Sequence, residues 1–375
     1  MKTLLSLFFL VFLIGCGGDS SPINSESNDT SKNFLFTGEG LSGKEIFVSK
    51  ITVEEGLGPH FNAQSCQKCH DTPINGGMGG GDDDLAFRIG TLDKGVFYDL
   101  TNGHGGPVSR THSVTELGYD CAIRAGIPSY ATVVSVRSSP TLFGLGDIEN
   151  IPDETIKAEA IDKGYGVHGK VNLVITHNGK KRVGRFGWKA HKATLNEFTG
   201  EAFRNEMGLI NSFAPLECFP SNNSIVKECA GYSDKLEISD NAIVKVANFI
   251  RELPTNTHRP NSMDSNGFKL FEKVHCSSCH KPSYNNGEKE VYLFSDLLLH
   301  NMGDGLNDNF VQANAEGPDW RTMPLRDLAS RTHFLHDART KDLEEAIREH
   351  RAEANISKVM YFNLSEGERK EILNF

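Results

Sequence analysis

The sequence lacks any run of about 18 consecutive apolar residues, and this excludes a membrane-spanning helix on grounds of length. Positive charge is in deficit, because 39 Lys and Arg face 49 Asp and Glu and give a formal net charge of −10. An acidic chain of this kind is not expected to bind nucleic acid. Tryptophan is scarce, at 2 residues, whereas the 37 glycines indicate many turns and loops. A length of 375 residues predicts two domains.

The N-terminal residues have the order of an export signal. The apolar run at residues 4–14 is followed by Gly15 and Cys16, so a short hydrophobic region ends in a small residue. The segment resembles a bacterial lipobox, in which the cysteine is lipidated and becomes the first mature residue. An ordinary signal peptide with an incidental cysteine is the alternative. We expect a lipoprotein signal peptide at residues 1–15 and a flexible tether, rich in Ser, Asn and Gly, at residues 16–40.

The residues after the lipidation site predict a location. Gly17 and Gly18 follow Cys16, and no Asp stands next to it. By resemblance to the sorting rules of Gram-negative lipoproteins, this favours the outer membrane. We therefore expect a protein that faces the periplasm and touches the membrane only through its lipid anchor.

Two segments of the chain repeat the pattern C-x-x-C-H. The residues are Cys66, Cys69 and His70 in the first copy and Cys276, Cys279 and His280 in the second. This pattern is the attachment signature of c-type haem. On one helical turn the two thiols share a face and can bond to the two vinyl groups of one porphyrin, and the next histidine then ligates the iron. The spacing predicts two covalently bound haem c groups.

Zinc binding and dithiol redox chemistry are the alternatives for these cysteines. The two cysteine pairs lie too far apart in sequence for a zinc ribbon. A thioredoxin-like dithiol would not need a histidine after both copies. Export also agrees with haem attachment, which takes place outside the cytoplasm.

The boundary between the two haem domains is predicted near residue 255. Apolar side chains recur there at helical spacing, and a proline then ends the helix. These residues are Ile243, Val246, Ala247, Ile250 and Pro254. A polar stretch at residues 255–266 follows as a linker. We expect an N-terminal c-type haem domain at residues 41–255 and a C-terminal one at residues 256–375.

The predicted fold class is mainly α, with two cytochrome c-like haem domains and long loops. One β element is expected in the first domain. Residues 171–176 and 180–185 flank the dipeptide Asn178-Gly179, which is the strongest short signal for a hairpin. We expect a small β-hairpin at this place.

A second axial ligand decides whether a haem iron only transfers electrons or also binds a small molecule. A predicted helix has an apolar face formed by Leu343, Ala346, Ile347 and His350. His350 is therefore the candidate second ligand of the C-terminal iron, and a hydrogen-bonded core histidine is the alternative. A weak internal similarity places Ala202 at the position of His350, which suggests that the N-terminal iron lacks this ligand.

Other side chains compete as axial ligands. Two histidines follow the first motif, three more lie in the C-terminal part, and two methionines lie in Gly-rich turns. They are His104, His112, His300, His333, His336, Met78 and Met302. A solvated or structural role is the alternative for each of them.

These motifs resemble those of the di-haem oxidoreductase family, whose members are described as peroxidases or thiol oxidoreductase-like proteins. The matching segments are residues 56–59, 61–63, 139–140, 144–146, 184–190, 295–300, 302–303, 320–322, 335–337 and 344–347, with His350. More distantly, the chain resembles bacterial di-haem cytochrome c peroxidases and the related tryptophylquinone-forming enzymes. The resemblance covers roughly residues 40–375. It implies a peroxidase-like oxidoreductase and places His350 where those peroxidases carry an axial methionine.

Two positions depart from the peroxidase pattern. Asn196 stands where those peroxidases carry a distal Glu, and Ala86 stands where they carry a displaceable His. Glu197 is adjacent to Asn196 but would point about 100° away on a helix. Peroxide chemistry therefore lacks its usual acid–base residue here.

Peroxide reduction needs an open iron, a proton shuttle and two electrons. The candidate shuttles are Glu197, His191 and His104. Arg137 is the candidate for polarising the leaving oxygen, with a structural ion pair as the alternative. Trp188 is the candidate relay for electrons between the haems, with a core aromatic as the alternative.

Three cysteines remain, namely Cys121, Cys218 and Cys229. Cys218 and Cys229 enclose a short polar loop, and an oxidising compartment favours a disulfide between them. Cys121 is then left as a buried thiol. Separately, Asp82-Asp83-Asp84 and residues 304–308 carry the oxygen ligands that calcium prefers, and turns explain these residues equally well.

The first functional hypothesis is an exported peroxidase-like oxidoreductase. Electrons from a cytochrome or cupredoxin would enter at the C-terminal haem and reach peroxide, or another small oxidant, at a substrate-accessible N-terminal haem. The alternative is a periplasmic electron carrier without chemistry of its own. Oxidation of a protein or thiol substrate and redox sensing are further options. The coordination of the N-terminal iron discriminates between the first two.

Overall fold

The computed structural model describes residues 34–79, 84–100, 105–216, 227–255, 259–326 and 328–375. The expected signal peptide, the lipidation site Cys16 and most of the expected tether lie outside these residues. Within them, every helix is too short or too polar to cross a membrane. Export and lipidation therefore stay predictions.

The helices are short, and polar side chains define where most of them begin. Over the described residues the α-helices are α1 (Gly43–Val48), α2 (Leu145–Glu149), α3 (Asp153–Lys157), α4 (Leu195–Met207), α5 (Asp240–Arg251), α6 (Asn266–Lys273), α7 (Leu343–Arg348), α8 (Asn355–Phe362) and α9 (Glu366–Asn374). Side chains that accept a hydrogen bond from the first turn are those of Ser42, Thr194, Ser239, Ser265, Asp342 and Ser365. Local sequence thus fixes these helix starts.

The strands form several small antiparallel sheets. Over the described residues they are β1 (His60–Phe61), β2 (Leu85–Asp93), β3 (Val96–Asp99), β4 (Val108–Ser109), β5 (His112–Ser113), β6 (Val133–Ser138), β7 (Leu173–Ile175), β8 (Lys181–Val183), β9 (Ser283–Asn285), β10 (Glu290–Tyr292), β11 (Leu299–Asn301) and β12 (Asp319–Arg321). Strand β2 pairs with β3, β4 and β6 in a four-stranded sheet. The other ladders join β1 to β5, β7 to β8, β9 to β10 and β11 to β12.

The expectation of a mainly α chain is wrong. The structure is 31% helix and 18% strand, and it contains several sheets. The largest sheet depends on long-range pairing, since Leu85 of β2 lies opposite Ser138 of β6 and Gly90 lies opposite Val133. Strand formation of this kind follows from distant neighbours rather than from local periodicity, so the sequence pattern did not indicate it.

The two largest hydrophobic clusters of the described residues form the main cores. The larger one joins α1, α2, α4 and α5 and also contains Tyr284 and Leu298 from the second half of the chain. The smaller one joins Phe271 of α6, Tyr361 of α8 and Ile372 of α9. The loop between β10 and β11 contributes to both cores, because it places Leu298 in the larger cluster and Phe294 in the smaller one. The predicted domain boundary near residue 255 stays a prediction.

Two local predictions are confirmed. Helix α5 buries Ile243, Val246, Ala247 and Ile250, which is the face that the helical spacing indicates. Strands β7 and β8 form the antiparallel hairpin around Asn178-Gly179, where the glycine adopts a φ of 76°. Both elements depend on contacts or conformations that lie close in sequence, so local patterns were sufficient.

The disulfide joins Cys121 to Cys229, so the expected Cys218–Cys229 pair is wrong. Cys218 itself lies outside the described residues. The Cα atoms of Cys121 and Cys229 are 4.3 Å apart. Beside the bridge, the Ala230 N–H donates to the Asp120 carbonyl at 3.0 Å, and this holds the two segments together. Cys121 is therefore not a free thiol.

Candidate haem sites

The second C-x-x-C-H motif follows α6 directly. His275 adopts a φ of 62°, and the chain then turns into a 3₁₀ helix at Cys276–Ser278. The His280 N–H donates to the Cys276 carbonyl at 2.9 Å. Cys276 and Cys279 are both free of disulfide bonds. The turn thus presents two thiols and one imidazole from a single short segment.

A cavity of about 660 Å³ opens beside this motif. Its wall includes Cys276, Cys279, His280 and His350. Much of the remaining wall is apolar or aromatic, as at Phe271, Phe294, Met323, Leu325, Leu335, Leu343, Ile347 and Phe375. Cofactor pockets in proteins measure roughly 300–1,000 Å³ and are mostly apolar. The size, the lining and the two thiols fit a covalently bound porphyrin.

The His280 ring is fixed by the backbone. Its Nδ1 lies 2.9 Å from the Phe294 carbonyl oxygen. Because a carbonyl only accepts, Nδ1 carries the proton and Nε2 keeps its lone pair. Burial lowers the pKa of His280 to about 4, so the ring is neutral at physiological pH. A neutral imidazole whose Nδ1 is anchored in this way is typical of a histidine metal ligand.

His350 has the same arrangement on the C-terminal helix. It lies just beyond the end of α7, and its Nδ1 donates to the Ala346 carbonyl at 2.9 Å. Burial lowers the pKa of His350, so the ring is neutral and its Nε2 keeps a lone pair that can coordinate a metal. Leu343, Ala346, Ile347 and His350 all line the cavity, so the face that the sequence indicates does point at one site.

The first motif repeats the local geometry of the second. Cys66–Cys69 is a 3₁₀ helix, and the Nδ1 of His70 donates to the Gly77 carbonyl at 3.1 Å. Burial lowers the pKa of His70. Gly77 is required here because a Cβ at this position would lie 1.9 Å from the Thr72 carbonyl oxygen. Both motifs therefore present a neutral, oriented histidine beside two free thiols.

The protonation of the thiols argues against dithiol redox chemistry. Burial raises the pKa of Cys66, Cys69 and Cys276 to about 12 each. Dithiol exchange needs a thiolate. In this environment the thiols are protonated at neutral pH, which disfavours that chemistry.

An acidic residue that the sequence did not indicate lies beside the first motif. Burial raises the pKa of Glu206, and its charge in turn raises the pKa of Cys69. The Asn62 Nδ2 donates to Glu206 Oε2 at 2.7 Å. Asn62 precedes the first motif, whereas Glu206 lies in the last turn of α4. Nothing in the sequence linked these two segments.

His191, a candidate proton shuttle, precedes α4 and forms a buried polar pair with Glu201 of that helix. Its Nε2 lies 2.7 Å from Glu201 Oε2, and burial lowers the pKa of His191 to about 4. Arg88 of β2 lies 3.8 Å from the same carboxylate oxygen and also acts on Glu206. Arg88 thus connects the His191–Glu201 pair to the acid beside Cys69.

The other two catalytic candidates lie elsewhere. Glu197 accepts hydrogen bonds from the His177 N–H and from the Thr194 hydroxyl, so it fixes the start of α4. Arg137 donates to Asp308 at 2.6 Å, which is the structural ion pair given as its alternative. The structure therefore does not bring Glu197, His191 and Arg137 into one group.

The remaining histidine and methionine candidates are also dispersed. His300, His336 and Met302 line the cavity of the second motif. His112 forms an exposed pair with Glu116, His333 bonds the Thr332 hydroxyl, and the Met78 backbone pairs with Thr72. His104 lies outside the described residues.

Trp188 lies at the wall of the second cavity. Its indole N–H donates to the Ser138 carbonyl at 2.9 Å, and its ring meets that of His336 edge to face at 6.4 Å. Its role as a relay stays a prediction.

The calcium expectation has little support among the described residues. Asp308 binds Arg137 and Lys189, so its carboxylate is neutralised within the protein. In the part of the chain that the structure describes, no group of three or more His, Cys, Asp or Glu could hold a metal ion. Asp82 and Asp83 lie outside that part.

Comparisons with known proteins agree with two haem sites. The profile of a family described as "Di-haem oxidoreductase, putative peroxidase" matches residues 128–375, which include the second motif. The chain belongs to the di-haem oxidoreductase family. It is therefore an oxidoreductase that carries two haem groups.

Two further comparisons add little. A search of curated proteins finds no match. One similar crystal structure is that of a MauG-like protein associated with microbial copper homeostasis. It has 16% sequence identity and a TM-score of 0.32, and the match covers 62% of this chain and 87% of that chain. At these values the likeness supports neither fold nor function.

Proposed function

We propose that the protein is an exported c-type cytochrome that acts as a peroxidase-like oxidoreductase. Thioether bonds from Cys66 and Cys69 hold one haem, and those from Cys276 and Cys279 hold the other. The observation that carries this proposal is the pair His280 and His350. Both line one cavity, and each has its Nδ1 anchored on a backbone carbonyl.

In this proposal the two haem sites have different roles. His280 and His350 would both hold the haem iron at the C-terminal site, and a haem with two strong ligands would supply electron transfer rather than substrate chemistry. The weak internal similarity of the sequence places Ala202 at the position of His350, and alanine cannot ligate a metal. This supports an N-terminal iron that is open to a small molecule. Electrons from a cytochrome or cupredoxin would enter at the C-terminal site.

Haem, when bound, supplies an iron that exchanges electrons and binds a small oxidant such as peroxide. The chain supplies the proton chemistry. Glu206 has a raised pKa and accepts the Asn62 amide on Oε2, so its carboxyl group can hold a proton close to the first motif. The His191–Glu201 pair, connected through Arg88, supplies a second buried group beside it. A carboxyl group with a pKa closer to neutrality is the better shuttle.

Spectroscopy of the purified holoprotein tests this function. We expect one low-spin haem with two histidine ligands and one haem with a high-spin component that binds cyanide. His350→Ala should convert the first species to high spin, whereas His168→Ala, at an exposed histidine outside the cavity, should not. Hydrogen peroxide should be consumed with a reduced cytochrome as electron donor.

The carrier alternative gives different results in the same experiments. It requires two fully six-coordinate low-spin haems that ignore peroxide after partial reduction. That result, or a haem-stained gel with no covalent haem, would refute the proposed function.

The location is also part of the proposal. Cys16→Ser should leave the protein in the soluble periplasmic fraction, whereas the unchanged chain should fractionate with the outer membrane. The sequence around Cys16 is the support for this expectation.

A further inference from the structure

The cavity beside the second motif has an uneven charge. Arg321, Arg331 and Lys358 line it, and none of the described residues that line it is Asp or Glu. A buried cation is costly unless an anion pairs with it. The cavity wall is therefore suited to an occupant that brings its own negative charge.

Arg321 is the cation whose position is best defined. It ends β12, and its backbone pairs with that of Leu299 in β11. Its N–H donates to the Trp188 carbonyl at 2.9 Å, and the residue is 4% exposed. The guanidinium is thus held on a rigid strand, away from solvent.

The Arg321 side chain has weak partners for a buried guanidinium. Its Nε donates to the Gly187 carbonyl at 3.0 Å. Its Nη2 donates to the Met323 sulfur at 3.0 Å, and a thioether is a weak acceptor. Its Nη1 is buried and has no hydrogen-bond partner. Burial lowers the pKa of Arg321 to about 10, and no carboxylate acts to raise it.

Two other buried arginines of this protein have carboxylate partners. Arg137 pairs with Asp308 at 2.6 Å, and Arg185, which is fully buried, pairs with Asp153. A third, Arg204, has a side-chain amide oxygen as its partner, that of Asn205 at 2.9 Å. Arg321 has neither kind of partner among the described residues and faces the cavity, so an anionic occupant is suited to it.

We propose that Arg321 is the counter-ion of a propionate group on the C-terminal haem, with Nη1 donating to a propionate oxygen. This assignment rests on the proposed function, since it requires haem at the second motif. A guanidinium is suited to a carboxylate because its donors form a planar fork. The propionate would neutralise the buried cation and satisfy Nη1.

The experiment uses the purified holoprotein and three variants. Arg321→Gln removes the charge, and Arg321→Lys keeps the charge but loses the fork. Arg339→Gln is the matched control, because Arg339 pairs with Asp337 on the surface and does not line the cavity. The measurements are haem content per chain, the propionate bending band in resonance Raman spectra, and the midpoint potential of the C-terminal haem.

Arg321→Gln should shift the propionate band and lower the midpoint potential, because a lost positive charge favours the oxidised haem. We expect at least a tenfold change in the reduction equilibrium, which is about 59 mV for one electron. Arg321→Lys should keep most of the potential and still shift the Raman band. A purely structural role would not move the propionate band.

Two outcomes would overturn the assignment. In the first, Arg321→Gln and Arg339→Gln have the same Raman band and midpoint potential. In the second, both quantities stay unchanged and only the KM for an anionic oxidant rises, which would assign Arg321 to substrate. A Cys66→Ser, Cys69→Ser variant tests the proposed function independently of Arg321, because it leaves only the second motif to attach haem. If this variant shows no haem stain, the proposed function is refuted, and the Arg321 assignment is refuted with it.

Discussion

At the scale of single residues, three histidines share the same hydrogen-bond arrangement. His70, His280 and His350 each donate Nδ1 to a backbone carbonyl, at 3.1, 2.9 and 2.9 Å. The backbone therefore sets the tautomer and the ring direction, and Nε2 is left as the reactive nitrogen. A side-chain partner could rotate or change its protonation, whereas a carbonyl in a hydrogen-bonded turn does neither.

Glu206 is the residue whose replacement tests proton handling at the first site. Glu206→Gln keeps the shape and the Asn62 contact but cannot exchange a proton. We expect peroxide turnover to fall about 100-fold, within the usual range for loss of a general acid–base group, with unchanged haem content. Glu116→Gln is the control, because Glu116 lies on the surface beside His112. Equal turnover in the two variants would contradict the role.

His300 makes stability depend on pH. Burial alone would lower its pKa, but contacts with Asp296 at 2.9 Å, with the Cys279 sulfur at 3.7 Å and with Glu353 at 2.9 Å raise it well above the ordinary value of 6.5. A raised native pKa stabilises the fold fully below the unfolded pKa, and this contribution is lost as pH rises through the native pKa.

We therefore expect the contribution of His300 to the free energy of unfolding to fall above pH 6.5 by about 1.4 kcal/mol per pH unit, until its native pKa is reached. Denaturant titrations of the holoprotein between pH 6 and 9 would measure this slope. His300→Gln should abolish it, whereas His333→Gln should keep it. An unchanged slope in His300→Gln would rule out His300 as its source.

At the scale of elements, the disulfide fastens two loops that lie far apart in sequence. The bridge between Cys121 and Cys229 has a sequence separation of 108 residues. In the chain-entropy account, a closed loop of this length stabilises the fold by several kcal/mol, because it restricts the unfolded chain.

Replacing both bridged cysteines, Cys121→Ser with Cys229→Ser, should lower the free energy of unfolding by about 2–5 kcal/mol. Cys218→Ser should leave it unchanged, because Cys229 is already paired. Chemical denaturation of the three proteins, with peptide mapping under non-reducing conditions, would check this. A Cys218–Cys229 peptide in the map would restore the pairing expected from the sequence.

Elements with local causes were the ones that the sequence predicted. The buried face of α5 follows from the spacing of its apolar residues, and the β7–β8 hairpin follows from Asn178-Gly179. Strand β2 and the Cys121–Cys229 bridge were missed, because their partners are brought together only by the folded chain. Nearness in sequence predicted the wrong cysteine pair for the same reason.

At the scale of the whole molecule, the candidate site divides in the same way. Cys276, Cys279 and His280 could be found from their spacing, and His350 from the apolar face around it. Glu206 and Arg321 could not be assigned, because each acquires its chemistry from burial and from neighbours in other elements. A charged residue carries no sequence signal that says whether its partner is a side chain, water or a cofactor.

The second cavity takes part of its wall from the first half of the chain. Trp188 lines it, and Ser138 bonds both to Trp188 and to the His336 carbonyl. A recombination event that moved residues 256–375 onto a different N-terminal half would remove Trp188 from the wall of that cavity. The two halves should therefore be inherited together, and a chimera should hold its cofactor best if Trp188 and its hydrogen-bond partner Ser138 come with it.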